Sequence, residues 1–132
     1  MQTYAFRLHP GQDLHAELEG FAVRKQLEAA CVLACVGSLT RAVLRFANQS
    51  QATTLEGHFE IVSLTGTLSQ HGSHIHIAIA DGQGRTYGAH LLAGNQVYTT
   101  AEVVIGVLPG RRFGRTPDPA TGYLELDIQP IP

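Results

Sequence analysis

The chain has 132 residues, of which 44% are hydrophobic and 15% charged, and its formal net charge is −2 with histidines neutral. That is the length of one domain with enough apolar content for its own core, and the charge excludes a general electrostatic grip on nucleic acid. No apolar run reaches the length of a membrane span, and Met1-Gln2-Thr3-Tyr4 has no leader character, so the expectation is a cytoplasmic protein.

Thr3 to Leu8 alternates, with Tyr4, Phe6 and Leu8 on one face, and reads as the first strand. Pro10-Gly11 ends it. Asp13 is placed to cap a helix running to about Leu27. Leu14, Leu18, Phe21 and Ala22 form its apolar stripe, and Glu17, Arg24 and Lys25 its wet side. The next strand, Ala29 to Val36, carries Cys31 and Cys35, and Gly37-Ser38 is expected to break it. Four strand steps separate those two Cα atoms by roughly 13 Å, beyond the reach of a disulfide. Both are expected as buried free thiols, with a metal pair as the alternative.

Ala42, Leu44 and Phe46 alternate with Arg41 and Arg45, which describes a further, half-exposed strand. Asn48-Gln49-Ser50-Gln51 is a hairpin loop. Leu55 to Leu68 is one long strand or two, with Gly57 and Gly66 as bulges or close-approach points. Gln70-His71-Gly72-Ser73 turns into a strand containing His74-Ile75-His76, and Leu92-Ala93-Gly94-Asn95 turns into another, Val97 to Leu108. Pro109 to Gly122, with three prolines and three arginines, is expected as a long loop. Tyr123 to Ile128 closes the chain with Leu124, Leu126 and Ile128 inward. One main helix near the N-terminus and about seven strands joined by short turns define an α+β fold, a single domain over 1–132 built on a mainly antiparallel sheet.

The chemistry concentrates in three histidines. Alternate residues of a strand share a face, so His74 and His76 point the same way, their Cβ atoms roughly 7 Å apart. Ile75, Ile77 and Ile79 form the opposite, apolar face. A turn at Asp81-Gly82-Gln83-Gly84 folds the chain back and can bring His90 over the pair. Three imidazoles suit zinc and leave its fourth position open. The same residues also suit the wet face of an amphipathic strand.

Several segments in order resemble the PPC (plants and prokaryotes conserved) domain, the family associated with AT-hook DNA-binding proteins. Gly57-His58-Phe59-Glu60-Ile61-Val62-Ser63-Leu64-Thr65-Gly66 is similar to its Gly-x-Phe-Glu-Ile-x-Ser-Leu-x-Gly signature. Ser73-His74-Ile75-His76, Asp81-Gly82-x-Gly84, Gly88-Ala89-His90-Leu91, Val97-Tyr98-Thr99-Thr100-Ala101-Glu102-Val103 and Asp118-Pro119-Ala120-Thr121-Gly122-Tyr123 resemble its prokaryotic, stand-alone form. The resemblance implies a compact domain that assembles as a homotrimer, with His74, His76 and His90 as ligands of a metal, zinc first. Ala89 replaces a glycine of the family's Gly-Gly-His pattern. It also implies a DNA-associated or regulatory role and a protein partner near Gly57, Phe59 and Glu60, although His58 stands where the plant proteins carry arginine. The Arg-Gly-Arg-Pro of an AT-hook is not present. Its nearest counterpart is Arg111, Arg112 and Arg115 in the Pro109–Gly122 segment, so weak DNA contact is expected of the chain alone.

The second expectation is a metal-dependent enzyme in which the open position binds a water. It would need a carboxylate base, and Glu60 and Glu102 are the candidates. A third is a small-ligand sensor with the metal anchoring an anion. No phosphate-binding loop, nucleophile elbow or dinucleotide fingerprint is present.

Overall fold

The computed structural model describes residues 1–132. In chain order the elements are β1 (Thr3–Leu8), α1 (Leu14–Arg24), β2 (Ala30–Arg45), β3 (Thr53–Ser69), β4 (Gly72–Ala80), β5 (Thr86–Leu91), β6 (Gln96–Val107), β7 (Arg111–Pro117) and β8 (Leu124–Pro130). Six strands form one antiparallel sheet in the order β1-β6-β2-β3-β4-β5, and β7 and β8 form a separate hairpin. The large sheet also closes on itself. Leu44 and Arg45 of β2 pair with Leu91 and His90 of β5, so β2, β3, β4 and β5 make a four-stranded barrel. The α+β expectation holds.

Helix α1 covers the core as its stripe predicts. Asp13 accepts from the amides of His15 and Ala16 at 3.0 and 3.3 Å, and its second oxygen accepts from the Gly94 amide at 2.7 Å. Leu14, Leu18, Phe21 and Ala22 are the buried positions, and Phe21 stacks on Phe6 of β1 at 4.5 Å. The helix ends at Arg24, earlier than the expected Leu27. Gln26 turns left-handed at φ 51°, its amide bonds Val23 and the Leu27 amide bonds Ala22. That is the two-bond closure usually built on glycine, and it leaves Leu27 buried off the helix end.

Gly37-Ser38 does not break β2. A Cβ at Gly37 would sit 2.1 Å from the Thr100 carbonyl, so glycine there admits the close approach of β6. Ser38 Oγ meets Thr99 Oγ1 at 3.0 Å, and the strand continues to Arg45. Cys35 is buried and burial pushes its thiol up to about 11, whereas Cys31 is half-buried rather than buried. Gly57 and Gly66 serve as expected. Gly57 lies in the bulge opposite the Leu39–Arg41 register shift, and a Cβ on Gly66 would meet the His74 carbonyl at 2.8 Å.

The expected Pro109–Gly122 loop contains β7, which pairs with β8 from Arg111↔Pro130 to Pro117↔Leu124. What holds it is distant in sequence. The Phe113 amide donates to the Glu28 carbonyl at 2.8 Å, and Ser69 Oγ donates to the Phe113 carbonyl at 2.7 Å. Phe113 is buried, but Leu124 and Ile128 are not inward: they are 60% and 57% exposed, and Leu126 is half-buried. The hairpin packs through its Phe113 side and leaves the last strand's apolar residues uncovered.

Candidate metal centre

Register builds the site. Asp81 closes the turn after β4: its Oδ1 accepts from the amides of Gln83 and Arg85 at 2.9 and 3.0 Å, and Oδ2 accepts from Arg85 Nε at 2.8 Å. Those bonds, the Gln83 amide above all, hold the Asp81 carboxyl below its ordinary range. The turn sets His90 directly across from His76, while Ile75, Ile77 and Ile79 face the barrel core. The three imidazoles therefore stand together on the outer wall.

His76 Nε2 lies 3.1 Å from His74 Nε2 and 3.1 Å from His90 Nδ1, and the third side of the triangle is 3.3 Å. Three neutral imidazoles cannot satisfy three such contacts as hydrogen bonds. A ring nitrogen is either a donor or an acceptor, so at least one side must oppose two lone pairs or two protons. A cation at the centre removes the conflict. Two nitrogens each about 2.0–2.1 Å from a tetrahedral ion stand about 3.3–3.4 Å apart, close to the separations found. The donor set thus fits a zinc-type ion.

The electrostatics favour neutral ligands. The His74 imidazolium is disfavoured first by burial, then by His76 and Arg115, with Glu125 opposing; that of His90 is disfavoured by burial, then by His76, Arg45 and His74. Both pKa values fall below 6.5, the ordinary value, and a metal needs the neutral form.

The site's neighbours come from far along the chain. Thr65 and Thr67 of β3 pair with His76 and His74, and Arg45 of β2 pairs with His90. Arg115 of β7 reaches Thr67 Oγ1 at 3.5 Å. The expected carboxylates are elsewhere. Glu60 pairs with Ala80, four residues along β4 from His76, and Glu102 lies on β6, paired with Arg7 and Val36. Of the residues expected to meet a partner, Gly57 and Glu60 are exposed, but Phe59 is buried in the core. Arg112 donates from Nε to Glu28 at 2.8 Å, Arg111 bonds the Gly110 carbonyl and Arg115 reaches Thr67, so Arg112 is the one of the three arginines with an ion pair. Arg45 and Thr65 escape a sequence reading because only the strand register brings them to the histidines, and Glu125 because it comes near His74 on the separate β7–β8 hairpin.

A small antiparallel barrel with one covering helix and three converging imidazoles on its outer wall defines a histidine-bearing α+β domain. The chain belongs to the Plants and Prokaryotes Conserved (PCC) domain family, whose model matches residues 1–109. Among curated relatives, the bifunctional protein GlmU of Synechococcus sp. (strain JA-3-3Ab) is 50% identical over 131 residues, 99% of this chain but 21% of that protein. The AT-hook motif nuclear-localized protein 13 of Arabidopsis thaliana is 30% identical, over 89% of this chain and 31% of its own length. The chain thus spans only a fifth to a third of these relatives. A solved hypothetical protein from Salmonella cholerae-suis superposes with a TM-score of 0.95 at 45% identity, covering 98% of this chain and 94% of that one. A metal-containing protein from Archaeoglobus fulgidus does so with a TM-score of 0.84 at 28% identity, covering 96% and 93%.

Proposed function

We propose that the chain is a metal-carrying PCC domain that works as a homotrimer, with zinc held by His74, His76 and His90 and one coordination position left for a ligand. The observation that carries it is the triangle of ring nitrogens at 3.1–3.3 Å, which neutral imidazoles cannot satisfy alone. The metal-containing A. fulgidus protein of the same fold supports it. The bound ion would supply a Lewis-acid centre, and this chain's residues would hold and orient what approaches it. Elemental analysis after purification without chelators should find about one zinc per chain. Protein that is metal-free and unchanged by added zinc would return the histidines to ordinary surface residues.

The trimer draws support from exposed apolar side chains on the adjacent strands β2, β3 and β6: Leu33, Val36, Val62 and Tyr98 are 50%, 64%, 59% and 44% exposed. Large apolar side chains left in water on neighbouring strands suit an interaction surface. Light scattering at micromolar concentration should give three times the monomer mass, and a monomer would refute it. A DNA-associated regulatory role is supported by family membership, together with weak contact by this chain alone. The net charge is −2 and Arg112 is already paired with Glu28, so little phosphate can be neutralised. A salt-resistant nanomolar complex with a defined duplex would contradict this. The free thiols of Cys31 and Cys35 suit a cytoplasmic setting.

A further inference from the structure

A cleft of about 360 Å³ opens beside the imidazoles, lined by His76, His90, Arg45, Ser63 and Thr65, with Ala78 and Ala89 among its apolar residues. That volume lies in the range of small-ligand sites. At ~30 Å³ for each water-sized atom it admits on the order of a dozen heavy atoms at most.

Arg45 is the telling residue. Every other arginine has an ion-pair or hydrogen-bond partner: Arg7 bonds Thr100, Arg24 and Arg41 stand at ion-pair distance from Glu17 and Glu56, although the buried Arg41 Nε makes no hydrogen bond, Arg85 pairs with Asp81 and Arg112 with Glu28, while Arg111 and Arg115 bond Gly110 and Thr67. Arg45 has neither an ion pair nor a hydrogen bond, although it is half-buried, and no carboxylate lines the cleft it faces. Register fixes it across from His90, which is itself across from His76, which is across from Thr65. One row over the barrel wall thus presents a hydroxyl, two imidazoles and an unpaired guanidinium.

We infer that this cleft binds a small carboxylate bearing an adjacent oxygen, a 2-hydroxy or 2-keto acid. The inference rests on the metal reading above. The planar guanidinium fork of Arg45 matches a carboxylate edge with two parallel hydrogen bonds, and a metal held by His74, His76 and His90 would supply a Lewis-acid centre for the adjacent oxygen. Ser63 and Thr65 supply hydroxyl donors, and the alanine walls cover a short carbon skeleton. Inorganic phosphate has no carbon skeleton to set against the alanine walls and forgoes the apolar contact that the short acid makes there.

The test is calorimetric titration of the zinc-loaded full chain, with zinc content measured first. The probes are lactate, the neutral lactamide and inorganic phosphate, applied to the wild type, Arg45→Gln and Arg45→Lys. Lactate should bind the wild type at least tenfold more tightly than lactamide does, which needs no variant. Arg45→Gln should weaken lactate at least tenfold with zinc content retained, and Arg45→Lys should recover part of the loss. Equal lactate affinity in wild type and Arg45→Gln, or phosphate binding more tightly than lactate, would overturn the inference and leave the metal centre standing. A chain that takes up no zinc would bring down the metal reading and this inference together.

Discussion

Replacing His76 by alanine is the most direct test of the metal centre, because His76 is the corner shared by the two 3.1 Å sides of the nitrogen triangle. Structural zinc sites with four ligands bind with apparent free energies of about 10–16 kcal/mol, or roughly 2.5–4 kcal/mol per ligand. At 1.4 kcal/mol per decade, His76→Ala should weaken zinc by about 10²–10³-fold. Thermal unfolding reads this out. With free zinc at 1,000 times the wild-type Kd, binding stabilises by about 4.1 kcal/mol, and the variant would keep about 0.4–1.4 kcal/mol of that. At roughly 3–5 °C per kcal/mol for a domain of this size, the zinc-induced rise in Tm should fall from about 12–20 °C to under about 7 °C. His58→Ala is the control, since His58 lies tilted against Tyr98 with ring centroids 4.6 Å apart and is not part of the triangle. An unchanged zinc response in His76→Ala, or an equal loss in His58→Ala, would refute the reasoning.

Three further outcomes follow from the geometry. Burial and like charge hold His74 and His90 below 6.5; for a base whose folded pKa is depressed, stability is intact above the unfolded pKa and declines as the pH falls below it toward the folded value. Metal-free protein should therefore lose stability as the pH drops below 6.5, and the apparent Kd for zinc should rise as the imidazoles protonate, which equilibrium dialysis over a pH series would measure; an apparent Kd unchanged down to pH 5 would count against imidazole ligation. Glu28 accepts from Arg112, Gln70 and His71 and is held below its ordinary pKa chiefly by Arg112, so Glu28→Ala should speed amide exchange in β7 and β8 while the barrel stays protected, and unchanged β7 exchange would refute the clasp. Gly37→Ala, with its new methyl 2.1 Å from a β6 carbonyl, should cost about 1–3 kcal/mol or more as a backbone clash, visible as a lower urea midpoint; a midpoint within error of wild type would mean that β2 and β6 can separate freely.

Local chemistry was the legible part of the fold. Asp13 followed by the Leu14, Leu18, Phe21, Ala22 stripe declares α1, and alternating Ile75, Ile77 and Ile79 declare which way His74 and His76 must point. The Asp81 turn then sends His90 back toward them. What could not be read depends on contacts distant in sequence. Gly37 looks like a breaker until β6 is laid against it. β7 has no periodicity of its own and is held by the Glu28 carbonyl and Ser69. Gln26 adopts a backbone state that favours glycine. Arg45 alternates like any solvent-facing charge, and only the β2–β5 register, two residue pairs long, sets it beside His90.

That short seam also bears on what the molecule avoids. β5 is six residues long, and beyond its two pairs with β2 much of its outer edge is unpaired backbone, a template for strands of other molecules. His90 sits on one of those two pairs, while His74 and His76 belong to the neighbouring strand. An ion shared by the three would pin β5 to β4 where the barrel closes with least backbone support. Holding that edge shut is protection against self-association through open strands, independent of any ligand the centre receives.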